Sequence, residues 1–365
     1  MKIVFVSNYL TIHQLNLCRS FYSQKNVTFN FVSSFKPQGD KLKFSNFEDE
    51  PYVIKAYLSD ELRNAAIKTI KNADIIIFGS DDKSLISNRN QIIFFYLEHF
   101  SRGKINFLRK LHIKYLYQKY KNSYLLCASS HSQKDYNSLG LFKNKCFTFG
   151  YFPMLPNIDK TPKFNDKKVK VLWAGREMAL KHPEYAFYAA EILYSLNIPY
   201  QVSIVSTQND VLKTLISQNQ NKPYFKNINI IDPVSNSEMH NILFASDIFI
   251  FSSDKNEGWG AIVNEAMSNG CCVIASNKAG CTNFLIKNQI NGLIFDSKDE
   301  FKEQILYALK ENNFIELGKN AQKTIKDVWN SNKAVINLMQ IFDAILNKEK
   351  ISENLTNKGP GTLII

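Results

Sequence analysis

The chain has 365 residues, with 45 Lys plus Arg against 33 Asp plus Glu, for a formal net charge of +12. At roughly 150 residues per domain, this length predicts two domains. A composition of 45% apolar and 21% charged residues excludes a disordered chain, a collagen-like fibre and a small disulfide scaffold. No apolar run approaches the length of about eighteen residues that a spanning helix needs. The apolar run near Met1–Tyr9 is too short for a signal peptide, so the expectation is a cytosolic protein. Cys18, Cys127, Cys146, Cys271, Cys272 and Cys281 form no C-x-x-C pair and no metal spacing with His. They read as buried, reduced thiols.

In chain order, Lys2–Ser7 (KIVFVS) reads as an opening strand, followed by a loop and a helix from about Leu15 to Gln24. Asn30–Ser33 and Val53–Ala56 are weaker strands, and Asp60–Asn72 is a helix. Asp74–Gly79 and Tyr124–Ala128 are continuous apolar runs of the kind found in buried parallel strands. Residues 152–166 hold Pro153, Pro156 and Pro162 with few apolar residues, which predicts a linker. The pattern then restarts. Val169–Ala174 is a strand ended by Gly175, and a helix follows over Pro183–Leu196. Further strands are expected at 202–205, 228–231, 248–251, 272–275 and 292–295, with closing helices at 300–312 and 333–346. Strands alternating with helices predict β-α units and parallel sheets. The expected domains are 1–155 and 166–346, with a flexible tail over 347–365.

The most informative stretch is SDKNEGWGAIVNEAMSNGCCVIAS, Ser253 to Ser276. Here a strand ends in a polar loop holding Glu257, then Gly258-Trp259-Gly260, and a helix begins near Ala261 and Ile262 and carries Glu265. Glycines let a backbone approach a ligand closely, and a helix start favours an anion. An ionised carboxylate only accepts hydrogen bonds, so hydroxyls are its natural partners. Two carboxylates flanking a phosphate site suit a nucleotide sugar. The second piece is Gly175-Arg176-Glu177-Met178-Ala179-Leu180-Lys181-His182-Pro183. Its two cations, Arg176 and Lys181, could neutralise a diphosphate as it leaves.

Glu257 and Glu265 around G-W-G, together with Gly175-Arg176 and Lys181, resemble the retaining glycosyltransferases of family 4, which have the GT-B fold. The resemblance covers about 169–346. It extends more weakly through SNYLTIHQLNLC, Cys127-Ala128-Ser129 and Gly150-Tyr151-Phe152-Pro153, which are similar to polysaccharide-building transferases of bacteria. It implies an α/β fold of two Rossmann-like domains facing across a cleft, the second holding a nucleotide-diphosphate sugar of UDP or GDP type. Arg176 and Lys181 would bind the diphosphate. Glu257 would contact the transferred sugar, with backbone N–H groups of the 258–262 loop, Gly258, Trp259, Gly260, Ala261 and Ile262, on sugar and phosphate. Glu265 would hold the ribose hydroxyls, and Pro233 and Val234, after Asp232, would lie near the base. A hexose would pass to an acceptor hydroxyl with retention, and no metal or other cofactor is implied. No D-x-D triplet occurs, and Asp81-Asp82 is the nearest pair.

One departure from the family pattern is the loop Ser7-Asn8-Tyr9-Leu10-Thr11-Ile12-His13-Gln14, which has no glycine. His13 and Gln14 are therefore candidates for acceptor or diphosphate contacts, and His99 is a second catalytic candidate. Each has a plainer reading as well. His13 could cap the next helix, His99 could be a buried histidine and Trp259 could be packing, while the two glutamates could be solvated charges near a helix start.

Ser101–Asn122 carries Arg102, Lys104, Arg109, Lys110, Lys114, Lys119 and Lys121 with no acid, interleaved with Phe107, Leu108, Leu111, Tyr115 and Leu116. This reads either as a solvated basic face or as an amphipathic helix on the inner membrane surface, which a lipid-linked or glycan acceptor would explain. No nucleic-acid module is visible. The alternatives to a transferase are a nucleotide-sugar epimerase, a glycoside hydrolase using the two glutamates, and a non-catalytic membrane-surface protein.

Overall fold

A computed structural model describes residues 1–38, 47, 49–101, 105–153, 168–176 and 178–365. Arg102, Lys104, the prolines at 156 and 162, Glu177 and the expected 155/166 domain boundary lie outside them. The chain forms two units, Met1–Met154 with Trp329–Ile365, and Leu155–Val328.

In the first unit the strands are β1 (Lys2–Ser7), β2 (Thr28–Ser33), β3 (Val53–Lys55), β4 (Ile75–Gly79), β5 (Ile92–Leu97), β6 (Ser123–Cys127) and β7 (Cys146–Thr148). Its helices include α1 (Ile12–Tyr22), α2 (Asp60–Lys71), α3 (Phe107–Gln118) and α4 (Ser132–Ser138). The sheet runs β3-β2-β1-β4-β5-β6-β7 and every pairing is parallel. Parallel strands are buried on both faces, which is why Ile3 to Val6 and Ile75 to Phe78 are unbroken apolar runs with almost no exposure. Phe5, Phe31, Phe94 and Phe147 are fully buried. At about 1.5–3 kcal/mol each, such side chains dominate the core.

The second unit repeats the design. Its strands are β8 (Val169–Ala174), β9 (Tyr200–Val205), β10 (Ile228–Ile231), β11 (Ile248–Phe251), β12 (Cys272–Ser276) and β13 (Leu293–Phe295), ordered β10-β9-β8-β11-β12-β13, all parallel. Between and after them come α5 (Met178–Lys181), α6 (Glu184–Ser195), α7 (Asp210–Asn219), α8 (Asn236–Phe244), α9 (Ile262–Ser268), α10 (Thr282–Leu285), α11 (Lys298–Leu309) and α12 (Asn313–Asp327). Trp173, Phe187, Ile250 and Phe301 belong to one buried cluster. The two-sheet α/β architecture expected from the sequence is present.

The C-terminal region differs from expectation. The last helix, α13 (Ser331–Leu346), belongs to the first unit, although the sequence placed it in the second domain. Its apolar face decides this. Phe342 stacks on Phe21 of α1 (ring centroids 6.4 Å apart) and meets Phe94 of β5 edge-on (4.8 Å). Nor is 347–365 a frayed tail. The amide of Thr148 donates to the Thr362 carbonyl (2.8 Å), the amide of Ile364 donates to Cys146 (2.9 Å), and Thr362 is 1% exposed. The chain end thus covers the open edge of β7, an edge that would otherwise invite pairing with another chain. All six cysteines are free and buried. Among the described residues, no helix is long and apolar enough to cross a membrane.

Candidate functional site

In the second unit, β8 and β11 lie side by side at the point where the chain order reverses: β9 and β10 continue on one side, β12 and β13 on the other. Loops leaving the carboxyl ends of two such strands diverge and open a crevice, the usual ligand position in an open parallel sheet. The two sequence motifs are these two loops.

The first loop begins at Gly175. A Cβ there would lie 2.9 Å from the Trp173 ring and 3.1 Å from Lys181 Cγ, so the missing side chain lets the Lys181 stem cross the turn. Ser206 Oγ donates to the Gly175 carbonyl (2.6 Å) and fixes the turn. The short α5 ends at Lys181, and His182 reverses the chain at φ +53°. Ser252, just past β11, holds this end. Its hydroxyl lies 2.6 Å and 2.9 Å from the carbonyls of Lys181 and His182 and accepts from Trp173 Nε1 (2.9 Å). His182 is tied to Glu184 (2.8 Å).

The second loop carries Glu257. Its Oε2 accepts from Lys181 Nζ in a tight ion pair and from Ser253 Oγ (3.1 Å); Oε1 is engaged by neither. The two charged side chains are only 17% and 16% exposed. The ammonium also lies 5.4 Å from the centre of the Phe251 ring. A half-buried cation and anion therefore sit together at the sheet's reversal point. Gly260 follows at φ +96°, and a Cβ there would fall 2.3 Å from Phe251 Cζ. This position needs glycine both for its backbone and for its contact with the ring that floors Lys181.

Ala261 precedes α9, and Glu265 lies in that helix's first turn. Burial pushes the Glu265 carboxyl up to about 7, because desolvation disfavours the charged form. Gly258 is buried, Ala261 and Ile262 are half-buried, and Arg176 is exposed beyond β8. Pro233 is exposed and Val234 half-buried in the loop after β10, on the same carboxyl edge of the sheet. Trp259 differs from its expected place on the donor pocket. Its ring is 1% exposed, its Nε1 donates to Asn264 Oδ1 (2.8 Å), and its carbonyl accepts from the Cys281 amide (3.1 Å). The indole thus braces the loop from inside. Ser253 and Phe251 are members of the site that the sequence reading missed; neither stands at a motif spacing.

The first unit has its own reversal point, between β1 and β4. The glycine-free loop is closed there by side chains. Asn8 Nδ2 donates to Asp81 Oδ2 (2.9 Å), and Asn8 Oδ1 accepts from the Asp81 amide (2.9 Å). Asp82 pairs with Arg63 (2.8 Å). Both aspartates therefore hold loops. Among the described residues, no group of three or more His, Cys, Asp or Glu could hold a metal.

His13 and Gln14, expected in the loop, lie in the first turn of α1. Gln14 is spent on structure: its Oε1 accepts from the Thr11 amide (3.3 Å) and hydroxyl (3.2 Å), and its Nε2 donates to Ser7 Oγ (3.2 Å). His13 stacks on Tyr151 (5.3 Å, 12°), whose hydroxyl donates to Glu98 Oε1 (2.7 Å). Its Nδ1 is buried without a hydrogen-bond partner among the described residues, and burial lowers its pKa to about 4, so the ring is neutral near pH 7. His99 is 3% exposed and bonded through Nδ1 to Ser129 Oγ (2.8 Å). The structure groups His13 with Tyr151 and Glu98, and sets His99 deeper, beside Ser129 and His131.

Residues 156–327 match the family model for glycosyl transferases group 1. That match corrects the family expected from the sequence, which was family 4. The chain is 33% identical over 109 residues to an uncharacterized glycosyltransferase of Methanocaldococcus jannaschii, covering 29% of this chain and 28% of that relative, well under half of its length. Among solved structures it is similar to Alr3699/HepE of Anabaena in complex with UDP and glucose: TM-score 0.63, 13% identity, 93% of this chain and 99% of that one. It is also similar to the lipopolysaccharide outer core galactosyltransferase WaaB, with TM-score 0.63, 15% identity, and 95% and 100% coverage. At such identities the likeness establishes the fold, which is the GT-B architecture of two Rossmann-like units.

Proposed function

We propose that the chain is a glycosyltransferase that moves a hexose-type sugar from a UDP- or GDP-sugar to an acceptor hydroxyl, with retention of anomeric configuration and without a metal. The acceptor is a growing glycan or lipid-linked glycan in bacterial cell-surface assembly, met at the inner face of the cell membrane. The single observation that carries this reading is the Lys181–Glu257 pair at the reversal point of the second sheet, with Glu265 in the first turn of the helix that follows. The matched group 1 segment and the UDP and glucose named with the Anabaena structure agree with it.

The roles follow from chemistry. Lys181, with Arg176, takes the donor diphosphate. Glu257 takes sugar hydroxyls and Glu265 the ribose hydroxyls, with Pro233 and Val234 beside the base. The bond from sugar C1 to the phosphate oxygen breaks, and its electron pair leaves with the diphosphate. The acceptor oxygen bonds to C1, and its proton passes to the departing phosphate or to solvent. The cations stabilise charge that develops only as the bond breaks, which lowers the barrier without over-stabilising the bound donor. His13, neutral and stacked on Tyr151, serves the acceptor side.

Thermal unfolding with UDP, GDP and ADP tests the reading. A nucleotide at about 100 times its dissociation constant adds about 2.7 kcal/mol, or roughly 5–10 °C in a unit of this size. One of the three should stabilise the wild type and clearly less the Glu265→Ala variant. The effect should also depend on pH with a definite sign. Hydroxyl donors favour the ionised carboxylate. The nucleotide shift should therefore grow as pH rises through about 7, and Glu265→Gln should flatten it. Without nucleotide the trend reverses. The raised carboxyl contributes its full stability below its ordinary value of 4.5 and loses it as pH rises through about 7. No shift with any nucleotide would defeat the donor assignment.

A further inference from the structure

Helix α3 has two apolar faces, and only one of them is covered. Tyr117 is its buried residue and fastens it, with the Tyr117 ring edge-on to Phe95 at 4.9 Å. Asn106 caps its start, accepting from the Arg109 amide (2.9 Å). Phe107, Leu108, Leu111 and Tyr115 are 72%, 73%, 46% and 67% exposed. At 3.6 residues per turn these four fall within about 100° of the helix circumference, an arc that does not include Tyr117. Lys110 and Lys114, both exposed, flank that stripe on one side. From 105 to 122 the chain carries no acidic residue.

We propose that this outer stripe of α3 lies in the surface of an anionic lipid bilayer. The stripe enters the acyl boundary, and the lysines reach lipid headgroups with their stems along the apolar surface. The charge pattern selects this occupant. A second copy would bring like charges together across the interface. A nucleic acid would pair with the lysines and leave four large apolar side chains in water. The inference goes beyond the donor chemistry and would stand without it.

The test is co-sedimentation of the whole chain with vesicles of phosphatidylglycerol and phosphatidylcholine in equal parts, against phosphatidylcholine alone. The wild type should bind the anionic vesicles and bind the neutral ones far more weakly. Lys110→Ala with Lys114→Ala should weaken binding about 25-fold, since each cation near an anionic surface contributes about five-fold. Leu108→Ser with Leu111→Ser should weaken it at least as much while leaving the melting temperature and nucleotide stabilisation intact, because both positions are exposed. Equal binding to both vesicles, or binding untouched by the two serines, would overturn the proposal. So would self-association of the wild type that the same serines abolish.

Discussion

Lys181→Ala is expected to lower turnover of the donor by about 10²–10³-fold, the loss typical of removing one preorganised group that stabilises developing negative charge. The expectation rests on where the ammonium sits. It is 17% exposed, paired with Glu257 and placed over the Phe251 ring, so its field is screened less than that of a surface lysine. The pair also explains how the site stays intact without ligand. Each charge neutralises the other in a half-dry crevice, and on the proposed reading the donor would divide them, phosphate to the cation and hydroxyls to the anion. Removing Lys181 leaves Glu257 with Ser253 as its remaining partner among those described, which adds a modest loss of stability. Lys181→Arg keeps the charge and should recover part of the rate. Steady-state turnover of the three proteins, with melting temperatures measured alongside, checks this. A turnover for Lys181→Ala within three-fold of wild type would remove Lys181 from the mechanism.

Gly260→Ala should have the largest effect on stability. Two separate costs meet there. The backbone sits at φ +96°, where a side chain is strained, and a Cβ would stand 2.3 Å from Phe251 Cζ. Left-handed strain costs about 1–2 kcal/mol and overpacking a further 1–3 kcal/mol. Phe251 is 2% exposed, enclosed within the core. Its displacement also moves the floor under Lys181, so turnover should fall with stability. The two costs can be separated. Phe251→Leu alone should destabilise, yet together with Gly260→Ala it should cost less than the sum of the single changes, because the clash is gone and only backbone strain remains. Chemical denaturation of the four proteins measures the coupling. Simple additivity would show that the ring contact is not what fixes glycine at this position.

The parts of the fold that could be read from the sequence were the strands with punctuation. β1, β4, β8 and β11 are apolar runs closed by Ser, Gly or a polar loop, and such runs in parallel sheets carry their own boundaries. β5 (IIFFYL) lacks that punctuation, and a short apolar run alone does not separate strand from buried helix. β7 is three residues long, too short for any period. Helix α12 was hidden by Gly318, which reads as a breaker. In the folded chain a Cβ there would lie 2.2 Å from the Gly270 carbonyl oxygen, so the glycine is required by close packing inside a helix. The place of α13 was not legible because an amphipathic pattern says that a face is buried and not which sheet buries it. In the site, the Glu257, Glu265 and Lys181 spacing was visible because residues in the loops and short helical turns that follow the strand ends keep the chain order. Ser253, Phe251 and the buried ring of Trp259 were not, since their roles depend on contacts between neighbouring strands and turns.

The central claim is tested most directly by incubating the wild type with UDP-glucose, UDP-N-acetylglucosamine and GDP-mannose, with and without a glycan-bearing lipid extract, and following release of free nucleoside diphosphate. The account predicts release from one donor class, faster with the extract, and lost with Lys181→Ala, while the α3 serine variant still releases it from the donor when a water-soluble acceptor is supplied. A nucleotide that binds but is never released from its sugar, or a sugar altered while still attached to its nucleotide, would contradict the transferase reading.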